Sequence, residues 1–400
     1  MTTGPPSLLT RPLLLRFASM VGASLSFFLL LSVVPAYAAE RGGGGAAGLA
    51  TGSLMLATVL GELVTPRLVT RFGYRLTLIA GLFLLGAPAL VLTVSGQAAW
   101  IVAVCFVRGL GFALTIVAGG ALTASLIPDE RRGEGLALVG VVSGVPSLVA
   151  LPLGLWLAGR IGYGPVAVTG GLAALAAIAF VLGLPDRANR AERSDRSERP
   201  LGVVRGLRTG ALLRPVVVFA ATATAAGIMV TFLPLAVPSA SAGVVAAALF
   251  VQTAASTLTR WLAGRHGDRH GSAGLILPGL LLSATGVLVI APTTNPVAVV
   301  AGTALFGAGF GITQNATLAL MYTRVSATSY GTVSALWNLA YDGGMGVGAA
   351  GFGVTAGLTG YPWAFTLTAL LMLGAMAPAL RDRRITPPSV HLPAPGADPR

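Results

Sequence analysis

Three ionisable side chains, Glu62, Arg108 and Asp342, interrupt long apolar stretches of this sequence. Charge in such surroundings is costly, so a residue of this kind is a functional candidate by default. Asp342 stands about twelve residues into its stretch, with Asn338 and Ser334 one and two helical turns before it, so the three would form one polar stripe. As the only carboxylate expected near the middle of a stretch, Asp342 is the candidate for loading and releasing a proton. Arg108 lies about ten residues into its own stretch and suits either a coupling role or an anchor to backbone carbonyls. Glu62 is expected only about four residues from the end of its stretch, where a salt bridge with a loop arginine competes with a proton role. Uncharged polar residues inside other stretches are candidates for substrate contact or for bonds between helices: Thr115, Gln252 with Ser256, and the run Thr313, Gln314, Asn315.

Other chemistries find little here. His266 and His270 have the spacing of a metal pair, but both sit in a charged loop, and His391 is the only other histidine. No metal site is expected. No acidic pair flanks a helix as an enzyme's acid and base would, no nucleotide-binding loop is present, and no cofactor is implied. Cys105 is the single cysteine, which excludes an intramolecular disulfide.

The elements that position these residues follow from composition. The chain is 54% hydrophobic and 10% charged, whereas a soluble domain carries roughly 25% charged residues. Lipid must solvate much of its surface. A span needs about 20 apolar residues to cross about 30 Å of hydrocarbon, and only helices satisfy their own backbone there. Twelve such spans are expected, at 13–37, 48–66, 75–94, 98–124, 134–158, 164–184, 215–237, 243–263, 273–291, 296–321, 330–356 and 361–380. The first is longer than a signal-peptide core and is read as an uncleaved helix.

The net charge of +13 could suggest nucleic acid, but its placement does not. With the N-terminus inside, 23 of the 26 arginines fall in the cytoplasmic segments, and only Arg41 and Arg160 fall opposite. That is the positive-inside pattern of a multi-pass protein of the cell membrane with both termini cytoplasmic. The polar residues 185–214 read as a cytoplasmic linker between a six-span unit at 1–184 and another at 215–384, with a proline-rich disordered tail at 385–400.

The two units repeat. At an offset of 198 residues, Arg71 meets Arg269, Gly73 meets Gly271, Gly81 meets Gly279, Gly109 meets Gly307, Gly111 meets Gly309, Thr115 meets Thr313 and Gly162 meets Gly360, without a gap. Six spans per repeat make the halves parallel. In transporters built so, the substrate site lies between the halves near mid-membrane, and rocking of one half gives alternating access.

Two loops carry a recognisable pattern. After the eighth span the sequence reads Gly264-Arg265-His266-Gly267-Asp268-Arg269-His270-Gly271, and after the second it keeps Arg71, Gly73 and Arg75, with Pro66 and Thr70 where the other copy has glycine and aspartate. Both resemble the G-x-x-x-D-R-x-G-R-R/K loop of the major facilitator superfamily, and the resemblance covers about residues 12–384. It implies an all-helical fold of twelve spans in two six-helix repeats, and a gating loop made by Thr70, Arg71, Gly73, Arg75, Gly264, Asp268, Arg269 and Gly271. It places Asp268 near Gly133 to Gly135 and Thr70 near Ser329 and Tyr330. Arg108-x-x-x-Phe112 with its neighbouring glycines is similar to the family's membrane arginine pattern, linked to proton coupling. Gly135, Gly140, Gly144, Pro146, Pro152 and Gly154 form a degenerate copy of its antiporter series. Together these imply a monomeric secondary transporter of small molecules, not an enzyme, exchanging protons at Asp342, Arg108 and Glu62 and exporting its substrate. An importer of the same fold, a polytopic membrane enzyme and a permease-like sensor are the alternatives.

Overall fold

The structure, a computed structural model, describes residues 9–127, 132–186, 203–238, 242–325 and 329–385. Among these it contains helices and no strand. The first, α1 (Arg11–Leu90), runs through two breaks, at Gly42–Gly43 and at Gly73, which divide it into α1a (11–41), α1b (44–72) and α1c (74–90). The others are α2 (Ala98–Leu126), α3 (Arg132–Ile161), α4 (Tyr163–Val181), the short α5 (Val203–Arg208), α6 (Gly210–Ala236), α7 (Ala242–His270), α8 (Ala273–Ile290), α9 (Pro296–Tyr322), α10 (Tyr330–Thr359), α11 (Tyr361–Gly374) and α12 (Met376–Ile385).

Eight stretches among the described residues are long and apolar enough to cross a membrane, α1 being counted as one. The breaks at Gly42–Gly43 and Gly73 divide it into three segments. Helices α7 and α10 fall outside the eight; they are the polar helices that carry Gln252, Arg260, Asn338 and Asp342. Twelve traverses are consistent with this set, α11 and α12 together making the last. The first segment belongs to the core, since Leu29 to Val34 and Ala36 to Ala38 are buried along it.

The ends of the helices differ from the sequence expectation in a way that matters below. Helix α1b continues through Pro66 to residue 72, six residues past the expected end of the second span. Helix α7 continues to His270. In both places one glycine in the left-handed region turns the chain, Gly73 at φ 81° and Gly271 at φ 83°. A residue without a Cβ reverses direction at one position, so no extended loop is needed. The signature segments are therefore helix ends rather than solvated turns. Within the expected linker, residues 187–202 lie outside the described part. Residues 203–208 form α5, whose Gly206 sits against Leu336 and Thr332 of α10. Helix α6 begins at Gly210 rather than 215.

The 198-residue repeat is visible in the packing. Gly73 and Gly271 form one left-handed pair, and Gly162 (φ 83°) and Gly360 (φ 80°) another. A Cβ on Gly109 would collide with the Leu54 carbonyl oxygen, and one on Gly307 would collide with that of Gln252. Gly111 abuts Leu85 and Gly81, and Gly309 abuts Ser283 and Gly279. Every residue in each contact is displaced by the same offset. Such close approach of small residues drives helix packing where the lipid itself is apolar.

Equivalent positions should therefore respond alike. Gly109→Val and Gly307→Val should each destabilise the detergent-purified protein by about 1–3 kcal/mol through overpacking. Gly144→Ala, whose Cβ would meet no atom within 4 Å, should leave the thermal midpoint unchanged. A tolerant Gly109 or Gly307 in thermal unfolding would contradict the packing.

Candidate functional site between the halves

Helix α1b of the first half packs against α10 of the second. On the side away from the linker the contact is close. A Cβ on Gly48 would collide with the Ala349 carbonyl, and one on Gly52 would lie 3.2 Å from the Ala350 methyl. From the other helix, a Cβ on Gly346 would come within 2.9 Å of Met55. Thr231 of α6 donates to Thr51 Oγ1 at 3.0 Å, a buried bond that also joins the halves.

Further along the same contact, the Glu62 and Asp342 carboxyl groups come together across the halves. Asp342 is 4% exposed. Helix geometry explains the meeting. Glu62 lies ten residues before the end of α1b, about 15 Å along the helix, and Asp342 lies twelve residues from the start of α10, about 18 Å. The sequence placed Glu62 near a helix end only because it ended that helix at 66. Asp342 is thus not the lone carboxylate at its depth, and Glu62 reaches it rather than a loop arginine. Two carboxyl groups this close can share a hydrogen bond only when one of them carries a proton. Glu62 Oε1 is buried and has no hydrogen-bond partner among the described residues.

Around the pair stands an aromatic wall. Phe219 of α6 stacks on Trp337 (4.5 Å between centroids) and on Tyr341 (5.9 Å), both of α10, with Phe310 of α9 at 6.0 Å. Phe219 is fully buried, while Trp337 and Tyr341 are half-buried. Among the described residues the buried Trp337 indole nitrogen has no hydrogen-bond partner, nor has Gln252 Oε1 on α7. Arg260 of α7 is exposed and lies within electrostatic range of Tyr341. The sequence counted Arg260 among loop charges; it lies ten residues inside its helix.

The remaining candidates divide. Asn338, Gln314 and Asn315 are half-buried, and Asn315 lies beside Gly264, its Nδ2 3.4 Å from where a Cβ would stand. Ser334 bonds Tyr322 at 2.7 Å rather than the carboxyl pair. Ser256 is half-buried, and its carbonyl meets Gly311. The Thr115 and Thr313 hydroxyls bond carbonyls of their own helices, those of Phe112 and Gly309, while the side chains pack against Gly81 and Gly279.

Arg108 is 1% exposed and donates through Nε to the Leu85 carbonyl at 3.1 Å and through Nη2 to the Ser26 carbonyl at 3.2 Å. It ties α1a, α1c and α2 together. A second buried arginine, Arg16, was read from sequence as a loop charge. It donates to the Gly119 carbonyl, to Thr123 and to Ser19. A Cβ at Gly119 would strike its guanidinium.

The first signature segment grips its own half. Arg75 donates to the Leu184 carbonyl through Nε at 3.0 Å and Nη2 at 2.6 Å, and the Tyr74 N–H donates to the Asp186 carbonyl. A Cβ at Gly73 would lie 2.6 Å from Asp186 Oδ1. Arg71 stacks over Phe72 at 5.2 Å. Thr70 is exposed and donates to Arg67. Arg269 is exposed. Gly133 and Gly135 lie in the first turns of α3, but the side chain of Asp268 expected beside them lies outside what is described.

The closed contact makes a direct prediction. Cysteines at Thr51 and Thr231, in a Cys105→Ala background, should form a disulfide under mild oxidant, because their side chains already touch. The cross-link should arrest substrate counterflow, and a reductant should restore it. Absence of cross-linking, or counterflow unaffected by it, would contradict the contact.

The fold has close counterparts among solved structures. A point mutant of the nucleoside transporter NupG is 13% identical, with a TM-score of 0.74 over 93% of this chain and all of that one. The same transporter without that substitution gives 13% identity and a TM-score of 0.72, over 92% of this chain and 99% of its own. At this identity the likeness is one of fold. No curated protein sequence matches. The family model of the Major Facilitator Superfamily matches residues 16–349 and 237–398. Two parallel six-helix halves meeting at a buried polar pair, and a family match along nearly the whole chain, make this protein a member of the Major Facilitator Superfamily, a multi-pass membrane transporter and not an enzyme.

Proposed function

We propose that the protein is a monomeric secondary transporter that exports small molecules in exchange for protons, with the Glu62–Asp342 pair as the proton site. The observation that carries this is the approach of the two carboxyl groups, one from each half, within the contact of α1b with α10. With one proton the pair is a hydrogen bond that favours the halves being together at this depth. Without it two carboxylates face each other, a repulsion of about 4 kcal/mol at about 4 Å and an effective dielectric of about 20. Binding or losing one proton thus biases the rocking of the halves, which is what coupling requires.

The arginine-rich linker side as the cytoplasmic face supports this orientation, and the antiporter-like glycine series of α3 supports export. Within that series, Gly154 packs against the Leu29 carbonyl of α1a, while Gly144 stands in open space. Arg108 is proposed to act on coupling through the helices it ties, since its described bonds go to carbonyls. The gating role of Arg71, Gly73, Arg75, Gly264, Asp268, Arg269 and Gly271 is retained as part of the same reading.

In proteoliposomes with an imposed pH gradient, Asp342→Asn should abolish gradient-driven transport while leaving substrate counterflow at equal pH. Glu62→Gln should do the same, because both carboxyls hold the same proton. Wild-type transport with unchanged pH dependence in either variant would sink the proton role of the pair.

A further inference from the structure

Applied to the carboxyl pair, the 198-residue offset relates Glu62 to Arg260 and Asp342 to Gly144. It also relates the helices. Helix α7 is the counterpart of α1b, α3 is the counterpart of α10, and α7 packs against α3 as α1b packs against α10. On one side of the molecule an acid reaches across to an acid. On the other, an arginine stands where the first acid stood, and the facing position carries no side chain.

Three observations describe that second position. A Cβ on Gly144 would meet no atom within 4 Å, so space is open where the counterpart of the Asp342 side chain would project. Arg260 is exposed although it lies about 15 Å inside its helix, and among the described residues no carboxylate pairs with it. Tyr341, at the edge of the aromatic wall, lies within electrostatic range of it. An arginine held at this depth needs a counter-charge, and its planar fork matches a carboxylate in a bidentate manner.

We propose that Arg260 anchors the substrate, and that the substrate class is a small organic anion with a planar ring. Its carboxylate meets the Arg260 guanidinium in the space left by Gly144, and its ring lies against the Trp337–Tyr341 wall. The substrate thereby bridges α7 and α3 as the carboxyl pair bridges α1b and α10. The inference rests on the transporter reading but not on its proton site. The Trp337 indole N–H and Gln252 Oε1, both unpartnered, are further polar groups on the two helices that flank the site.

The test is equilibrium binding to the detergent-purified full chain by titration calorimetry, with benzoate and 1-naphthoate as probes. Benzamide is the neutral analogue, benzylammonium the cationic one, and uridine a neutral planar base. The wild type should bind the two carboxylates and not the other three. Arg260→Gln should weaken that binding at least about tenfold, with Arg260→Lys intermediate, because a point charge replaces the bidentate fork. Gly144→Asp supplies a carboxylate from within and should block the probes, while raising the thermal midpoint if the new pair forms. Gly144→Asp also stands alone should Arg260→Gln fail to fold. The proposal is overturned if neither carboxylate binds the wild type, or if both Arg260→Gln and Gly144→Asp bind them as the wild type does. It is equally overturned if benzamide, benzylammonium or uridine binds as tightly as the carboxylates. Calorimetry needs no gradient, so Arg260-dependent binding alongside an active Asp342→Asn variant would remove the proton reading and keep this one.

Discussion

In hydrocarbon every polar group must find its partner within the protein, and the architecture follows from that constraint. Backbone groups are satisfied by helices. Helices then attract one another chiefly through close packing, which is why glycines recur wherever two of them cross: Gly48 on Ala349, Gly109 on Leu54, Gly307 on Gln252. Charged side chains are the exceptions, and each is settled differently. Arg108 and Arg16 are buried and feed backbone carbonyls and hydroxyls of neighbouring helices. Those bonds hold the first half as one body. Glu62 and Asp342 face one another across the two halves instead.

This difference separates structure from mechanism. A bond within one half moves with it, whereas a bond between halves must be made and broken as the halves rock. Among the described residues, the contacts that join α1b to α6 and α10 include small residues in van der Waals contact, the Thr51–Thr231 bond and the carboxyl pair. Only the last changes strength when a proton is gained or lost. On the proposed reading, a titratable contact on the moving interface lets a chemical potential difference for protons act on a rigid-body motion.

Much of this was legible in the sequence because the repeat constrains it. Pairs such as Gly73 with Gly271 and Gly162 with Gly360 announced the halves, and they share a left-handed backbone. Asp342 stood out by type and depth. What could not be read was which helix ends extend beyond the apolar stretch. Hydropathy ended the second span at Pro66, but a proline and a few polar residues do not end a helix that has a neighbour to pack on, and the turn waits for Gly73. Those six residues hid the depth of Glu62, and a similar extension of α7 to His270 made Arg260 look like a loop charge. Arg16 was misjudged for a related reason: it lies near a helix start, yet Gly119 leaves a space on α2 that receives its guanidinium. Thr115 and Thr313 were picked for polarity alone, and their hydroxyls turn back onto their own helices.

The central claim is that Glu62 and Asp342 share one proton. Infrared difference spectroscopy of the purified protein, following the carbonyl stretch of protonated carboxyl groups through a pH titration, tests it directly. The account predicts one titrating band in the wild type that is changed by Asp342→Asn and by Glu62→Gln alike, since either substitution removes the partner from the same proton. A wild type without such a band, or a band that Glu62→Gln leaves untouched, would contradict it.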